Sequence, residues 1–135
     1  MKIPIGELID KMSILRIKIE NIGEFQSKLE YDKYRNEIES FENIDNKMIK
    51  RWCDQLYIIN KRIWNIEYDL RKKISECDSQ KRNIMDLFPR DKLAEIGKKH
   101  LMVQKLMKER DKIKNEIIEI TGDGYKILKI DHPSS

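Results

Sequence analysis

The residues of this chain that could do chemistry stand in columns. Asn60, Trp64, Glu67 and Arg71 recur at 4-3-4 spacing, which places them along one side of a helix with 3.6 residues per turn. Near the N-terminus Glu7, Lys11 and Lys18 follow at i, i+4 and i+11 with Ile14 between them, Asp10 stands beside them, and further on Arg110 and Lys114 are four apart. Brought into one groove, these side chains would supply several cations, two or three carboxylates and an aromatic wall. Arginine grips oxyanions with two parallel hydrogen bonds and Trp64 would stack, so the chemistry is recognition of a small anion, a carboxylate or a phosphate. The plainer reading keeps the same residues as charged flanks of a helical seam, with Arg110 reaching the bundle edge and making one structural ion pair.

Other site chemistries find no support in the spacing. His100 and His132 have neither a paired Cys nor a second nearby His, so no zinc site is expected and His100 reads as a half-buried core residue. Glu39 and Glu42 form a single ExxE step, while Glu67 and Asp69 are two apart and point in different directions; a carboxylate-bound magnesium would need matched steps on facing helices. No glycine-rich phosphate loop follows a strand. No metal and no cofactor is expected.

The elements that must position the columns are helices. The clearest apolar seam is Ile49, Trp52, Leu56, Ile59, Ile63, Ile66 and Leu70, a 3.5-residue repeat that keeps one stripe against a neighbouring helix. It predicts a long helix over 45–76, preceded by capping residues from Asn43 to Asn46. A first helix is expected from Ile5 to Ile22, with Pro4 and Gly6 at its start, Glu7 at its positive end and Gly23 as its stop. Its seam is Ile5, Leu8, Met12, Leu15, Ile19 and Ile22. A shorter helix over 26–41 should turn Leu29, Tyr34, Ile38 and Phe41 inward. The last helix should start at Arg90 or Asp91 and end at Gly122, on a seam of Leu93, Ile96, His100, Val103, Met107, Arg110, Ile113, Ile117 and Ile120 whose phase shifts near Arg110. Between the long helices a polar stretch over 78–89 should tuck Met85, Leu87 and Phe88 against the bundle. Beyond Gly122, Tyr125, Ile127 and Ile130 suit a short extended segment. The chain therefore reads as all-α, an antiparallel bundle of about four helices over 1–122 with a C-terminal tail over 123–135.

Composition narrows the partners. Charged residues make up 39% of the 135, yet 28 Lys and Arg stand against 24 Asp and Glu, for a net charge of +4. With a mean hydropathy of −0.71, scattered apolar residues would mean disorder; periodic ones mean solvated outer faces of long helices. Interleaved charge disfavours nucleic acid, which asks for a clustered basic face. No run approaches the roughly 20 apolar residues of a membrane span, and the acidic residues in MKIPIGELIDK are unlike a signal peptide. Cys53 and Cys77 would be about 36 Å apart on one helix, beyond bonding to each other, and read as reduced thiols of a cytoplasmic protein.

Residues 4 to 22, PIGELIDKMSILRIKIENI, resemble the opening of a family of short bacterial and phage proteins known only as a domain of unknown function. The matching positions are Gly6, Glu7, Leu8, Asp10, Lys11, Leu15, Lys18 and Glu20. INKRIWNIEYDLR, residues 59 to 71, is similar to that family's second block at Asn60, Trp64, Glu67 and Arg71, and IKNEIIEITG, residues 113 to 122, looks like its third. Together the blocks cover about a third of the chain. The family's Asn-Asp-Arg-Arg run is here MKER, in which only Arg110 carries over, and its acidic ending is replaced by KILKIDH. The resemblance implies an all-helical fold and a cytoplasmic setting, and it brings no mechanism.

The sequence thus points to a non-catalytic module that binds a partner protein or a small anion. The alternative is a cofactor-free enzyme that stabilises a polar transition state of a small anionic substrate in a bundle groove. Apolar surface in excess of what four uneven helices can cover predicts self-association as a dimer. Arg110, on an apolar stripe, should pair with Glu67, or failing that with Glu7 or Asp10.

Overall fold

The computed structural model describes residues 3–41, 44–79 and 90–123. They form four helices, α1 (Ile5–Asn21), α2 (Phe25–Glu39), α3 (Asn46–Ser79) and α4 (Arg90–Thr121), packed against one another as an all-α bundle. No described helix is long and apolar enough to cross a membrane. The expected Met85, Leu87, Phe88 packing and the extended segment with Tyr125, Ile127 and Ile130 lie outside the described residues, as do the cap residue Asn43 and His132.

The helix ends follow local chemistry. Gly23 (φ +72°) and Gly122 (φ +69°) take the left-handed conformation that stops α1 and α4. The Gly23 amide donates to the Lys18 carbonyl at 3.2 Å, and that of Gly122 to the Ile118 carbonyl at 2.7 Å. Before α3, an Asp45 carboxylate oxygen accepts from the Lys47 amide at 3.0 Å, the N-cap bond that a short acidic side chain makes well. At the start of α1, Pro4 offers no side-chain cap. That role falls to Asp123, whose Oδ2 accepts from the Ile5 amide at 2.8 Å across 118 residues of chain.

α1 is the hub. It packs on α2, α3 and α4, whereas α2 rests chiefly on α1. The main core gathers Ile5, Leu8, Ile9 and Met12 of α1, Ile38 of α2, Trp52 and Leu56 of α3 and Ile117 of α4. A second cluster joins Ile59 and Ile63 to Val103 and Leu106, so α3 and α4 run antiparallel. The α3 seam is as its spacing predicts: Trp52, Leu56, Ile59, Ile63 and Leu70 are buried, with Ile49 and Ile66 half-buried.

Four expectations are corrected by the packing, and the phase shift expected in α4 is found. A helix covered by three neighbours buries more than one stripe, so Ile9 and Ile17 of α1 are buried off the seam, while Ile22 at its frayed end is exposed. On α2 the inward stripe is Ser27, Tyr31, Tyr34 and Ile38 at 4-3-4 spacing; with one main neighbour there is a single narrow stripe, and Leu29 points outward at 49% exposure. His100 is exposed, on the first half of α4, ahead of the stretch that packs on α1. The α4 stripe does shift at Arg110: buried positions pass from Val103 and Leu106 to Asp111, Lys114 and Ile117, where α1 joins α3 as a second neighbour, and Ile120 ends up half exposed.

Candidate functional site

Where α1, α3 and α4 meet, a polar cluster is built into the core. Lys114 projects from α4 with only 10% of its side chain exposed, and its Nζ lies 2.7 Å from Glu7 Oε1 and 3.5 Å from Asp10 Oδ2. Asp10 is itself buried, and its Oδ1 accepts from Asn60 Nδ2 of α3 at 2.9 Å. The same Asn60 nitrogen donates to Ser13 Oγ at 2.7 Å, and that hydroxyl donates to the Asp10 carbonyl at 2.6 Å. Glu7 stands at the mouth with 42% of its side chain exposed. Each buried charge thus meets an opposite charge or a hydrogen-bond donor, the condition for keeping an ion pair inside a small bundle.

Glycine makes the approach possible. A Cβ at Gly6 would sit 3.6 Å from Ile117 Cγ2 and 3.8 Å from the Lys114 carbonyl. α1 and α4 therefore come close, and the Lys114 side chain can reach back along α1 to both carboxylates.

Of the ten residues singled out from the sequence, Glu7, Asp10, Asn60 and Lys114 are brought together by direct contacts. Trp64, Glu67 and Lys18 are half-buried, and Lys11 and Arg71 are exposed. Lys18 is 11 residues from Glu7, about 16 Å along the helix axis.

Arg110 does not take the partner expected of it. Its described ion pair is with the neighbouring Asp111, Nε to Oδ1 at 4.0 Å, while Glu7 and Asp10 are held by Lys114 one turn further on. Register is the reason. α3 and α4 share the cluster of Ile59 and Ile63 with Val103 and Leu106, and because the helices run antiparallel, Glu67 and Arg110 lie beyond opposite ends of it. The Arg110 Nε is buried without a hydrogen-bond partner.

No family model, curated protein or solved structure matches the chain.

Two further features were not anticipated. On the outer side of α1 and α3, Tyr57 Oη donates to Glu20 Oε1 at 2.6 Å, and the Arg16 guanidinium lies 3.9 Å from the Tyr57 ring centroid, a stacking that favours the cation. The hydrogen bond to Glu20, with some burial, pushes the Tyr57 hydroxyl above its usual pKa. Nearby, burial pushes the Cys53 thiol up to about 11, with Asp54 adding to it. The second feature is a groove of about 460 Å³ between α3 and α4, lined by Arg62, Asn65, Ile66, Met102, Leu106 and, at its rim, Lys105 and Glu109. At 100° per residue, Arg62 and Asn65 lie on the side of α3 opposite Asn60. The polar cluster and the groove thus flank the α3–α4 layer on its two faces. Among the described residues, no set of three or more His, Cys, Asp or Glu is arranged to hold a metal ion.

Proposed function

We propose that this chain is a non-catalytic, cytoplasmic interaction module, a helical bundle that works as a dimer. The observation that carries the reading is the double engagement of Lys114 by Glu7 and Asp10 at 2.7 and 3.5 Å. A cation already neutralised by two carboxylates attracts an anionic substrate weakly, and an aspartate fixed by Asn60 and Lys114 is poorly placed to shuttle protons. The cluster acts as a register lock, the best-attested use of buried polar groups between helices. It makes α1 dock on α3 and α4 in one position and so gives the α3–α4 layer a defined shape. Cys53, an unpaired thiol, suits a reducing compartment. The likeness of residues 4 to 22, 59 to 71 and 113 to 122 to the uncharacterised helical family belongs to the same proposal.

One observation favours the small-anion reading as second choice. The Arg110 Nε is buried and unbonded one turn from Lys114, so an oxyanion would find a donor there. A thermal-shift screen of phosphorylated sugars, nucleotides and dicarboxylates separates the two. The interaction module shows no compound-specific rise in melting temperature. A rise that disappears in both Lys114→Ala and Arg110→Ala, with Lys50→Ala still responding, would transfer the site to an anion. Light scattering at tens of micromolar should return twice the chain mass; a monomer would overturn the dimer.

A further inference from the structure

We infer that the groove between α3 and α4 is the face on which two copies of this chain pair, about a two-fold axis that sets Lys105 of one copy opposite Glu109 of the other, twice. The inference rests on the self-association proposed above and names its surface.

Among the described residues, the α3–α4 layer is covered on one side only. α1 packs on the side that carries Asn60 and Lys114, with α2 resting on α1. On the other side Ile58 and Met102 expose 52% and 54% of their surface, and Ile66 and Leu106 form the groove floor. Ile58, Arg62 and Asn65 follow at 4-3 spacing along α3, so an exposed isoleucine stands in line with the groove, just past its polar edge. Exposed apolar side chains beside an open groove suit an interaction face.

The charge pattern selects the occupant. The rim carries both signs, Arg62 and Lys105 against Glu109. Lys105 and Glu109 are one turn apart on α4, yet among the described residues neither is in an ion pair, nor is Arg62. Their charges are therefore available to a partner. A basic or acidic partner would leave one sign unmatched. A second copy matches both, because a two-fold interface repeats every contact: if Lys105 faces Glu109 of the second copy, then Glu109 faces Lys105 of the second copy. The two α4 helices then run antiparallel across the axis, and Met102 of each copy is covered by the other.

Charge swaps test the geometry on the full chain. Sedimentation velocity over micromolar to hundred-micromolar concentrations should find a dimer for the natural protein. Lys105→Glu and Glu109→Lys each create two like-charge contacts per dimer and should weaken it roughly tenfold or more. The double variant Lys105→Glu with Glu109→Lys restores complementarity and should return to within a few-fold of the original. Met102→Asp should give a monomer with an unchanged far-ultraviolet circular dichroism spectrum. A natural protein that is dimeric while all four variants dimerise equally well would overturn this face and leave self-association standing. A natural protein that is monomeric throughout would overturn both. A monomer whose melting temperature rises with decanoate would give the groove to a small amphipathic anion and overturn the pairing.

Discussion

Lys114 Nζ lies 2.7 Å from Glu7 Oε1, a contact that ties the first turn of α1 to the last third of α4. Its second partner, Asp10, is buried and is also bonded by Asn60. Lys114→Ala should therefore leave the Asp10 carboxylate short of its counter-charge and cost about 3 kcal/mol in a urea titration. Arg110→Ala, which gives up a 4.0 Å contact to Asp111, should cost only about 1 kcal/mol. Equal losses, or a larger loss at Arg110, would mean that the buried charge is held from the other position.

Asn60→Ala removes two hydrogen bonds at once, to Asp10 at 2.9 Å and to Ser13 at 2.7 Å. Buried acceptors left without a donor should make it cost about 2 kcal/mol. A double-mutant cycle with Lys114→Ala should be strongly non-additive, since both residues act on the same carboxylate.

Asp123 caps a helix that it reaches only through the tertiary fold. Asp123→Ala should cost about 1 kcal/mol, as losing an N-cap does. Hydrogen exchange at the Ile5 amide, the donor to Asp123, should quicken, with little change in the middle of α3. Unchanged exchange at Ile5 would show that another group can take over the cap.

Among the described residues, two groups bear on the alkaline behaviour. The Tyr57 hydroxyl and the Cys53 thiol are both raised in the folded chain, Cys53 from 9.0 to about 11. A raised folded pKa contributes stability below the unfolded value and loses it as pH climbs through the folded one. The natural protein should then lose stability above about pH 9, through the cysteine first, and Tyr57→Phe should flatten the part above about pH 10. The same shift leaves Cys53 roughly a hundredfold poorer in thiolate near neutral pH, so alkylation of Cys53 at pH 8, read by peptide mapping, should be far slower than that of glutathione.

Gly6 tests the close approach of α1 and α4. The nearest atoms to an added Cβ are Ile117 Cγ2 at 3.6 Å and the Lys114 carbonyl at 3.8 Å, ordinary contact distances. Gly6→Ala should be tolerated within about 1 kcal/mol, helped by the better helix propensity of alanine. Gly6→Val, with branches pressing on Ile117, should cost about 2 kcal/mol.

The features legible in the residues alone are those whose cause lies within one helix. The seam from Ile49 to Leu70 follows from spacing, because the periodicity that defines a stripe and the stripe that packs are the same residues. The stops at Gly23 and Gly122 follow from a left-handed backbone that glycine adopts without steric cost. Glu7, Asp10, Asn60 and Lys114 could be singled out because polar residues beside an apolar seam need partners. Which residue met which was decided by the tertiary structure. Arg110 and Lys114 differ by one turn, and only the α3–α4 register and the Gly6 contact put Lys114 against α1 and keep Glu67 away from Arg110. The second buried stripe of α1, with Ile9 and Ile17, arises because three helices surround it, and the number of neighbours is not written in any one helix. The same holds for the cap from Asp123 to Ile5, since a hydrogen bond across 118 residues exists only once both long helices have been laid down.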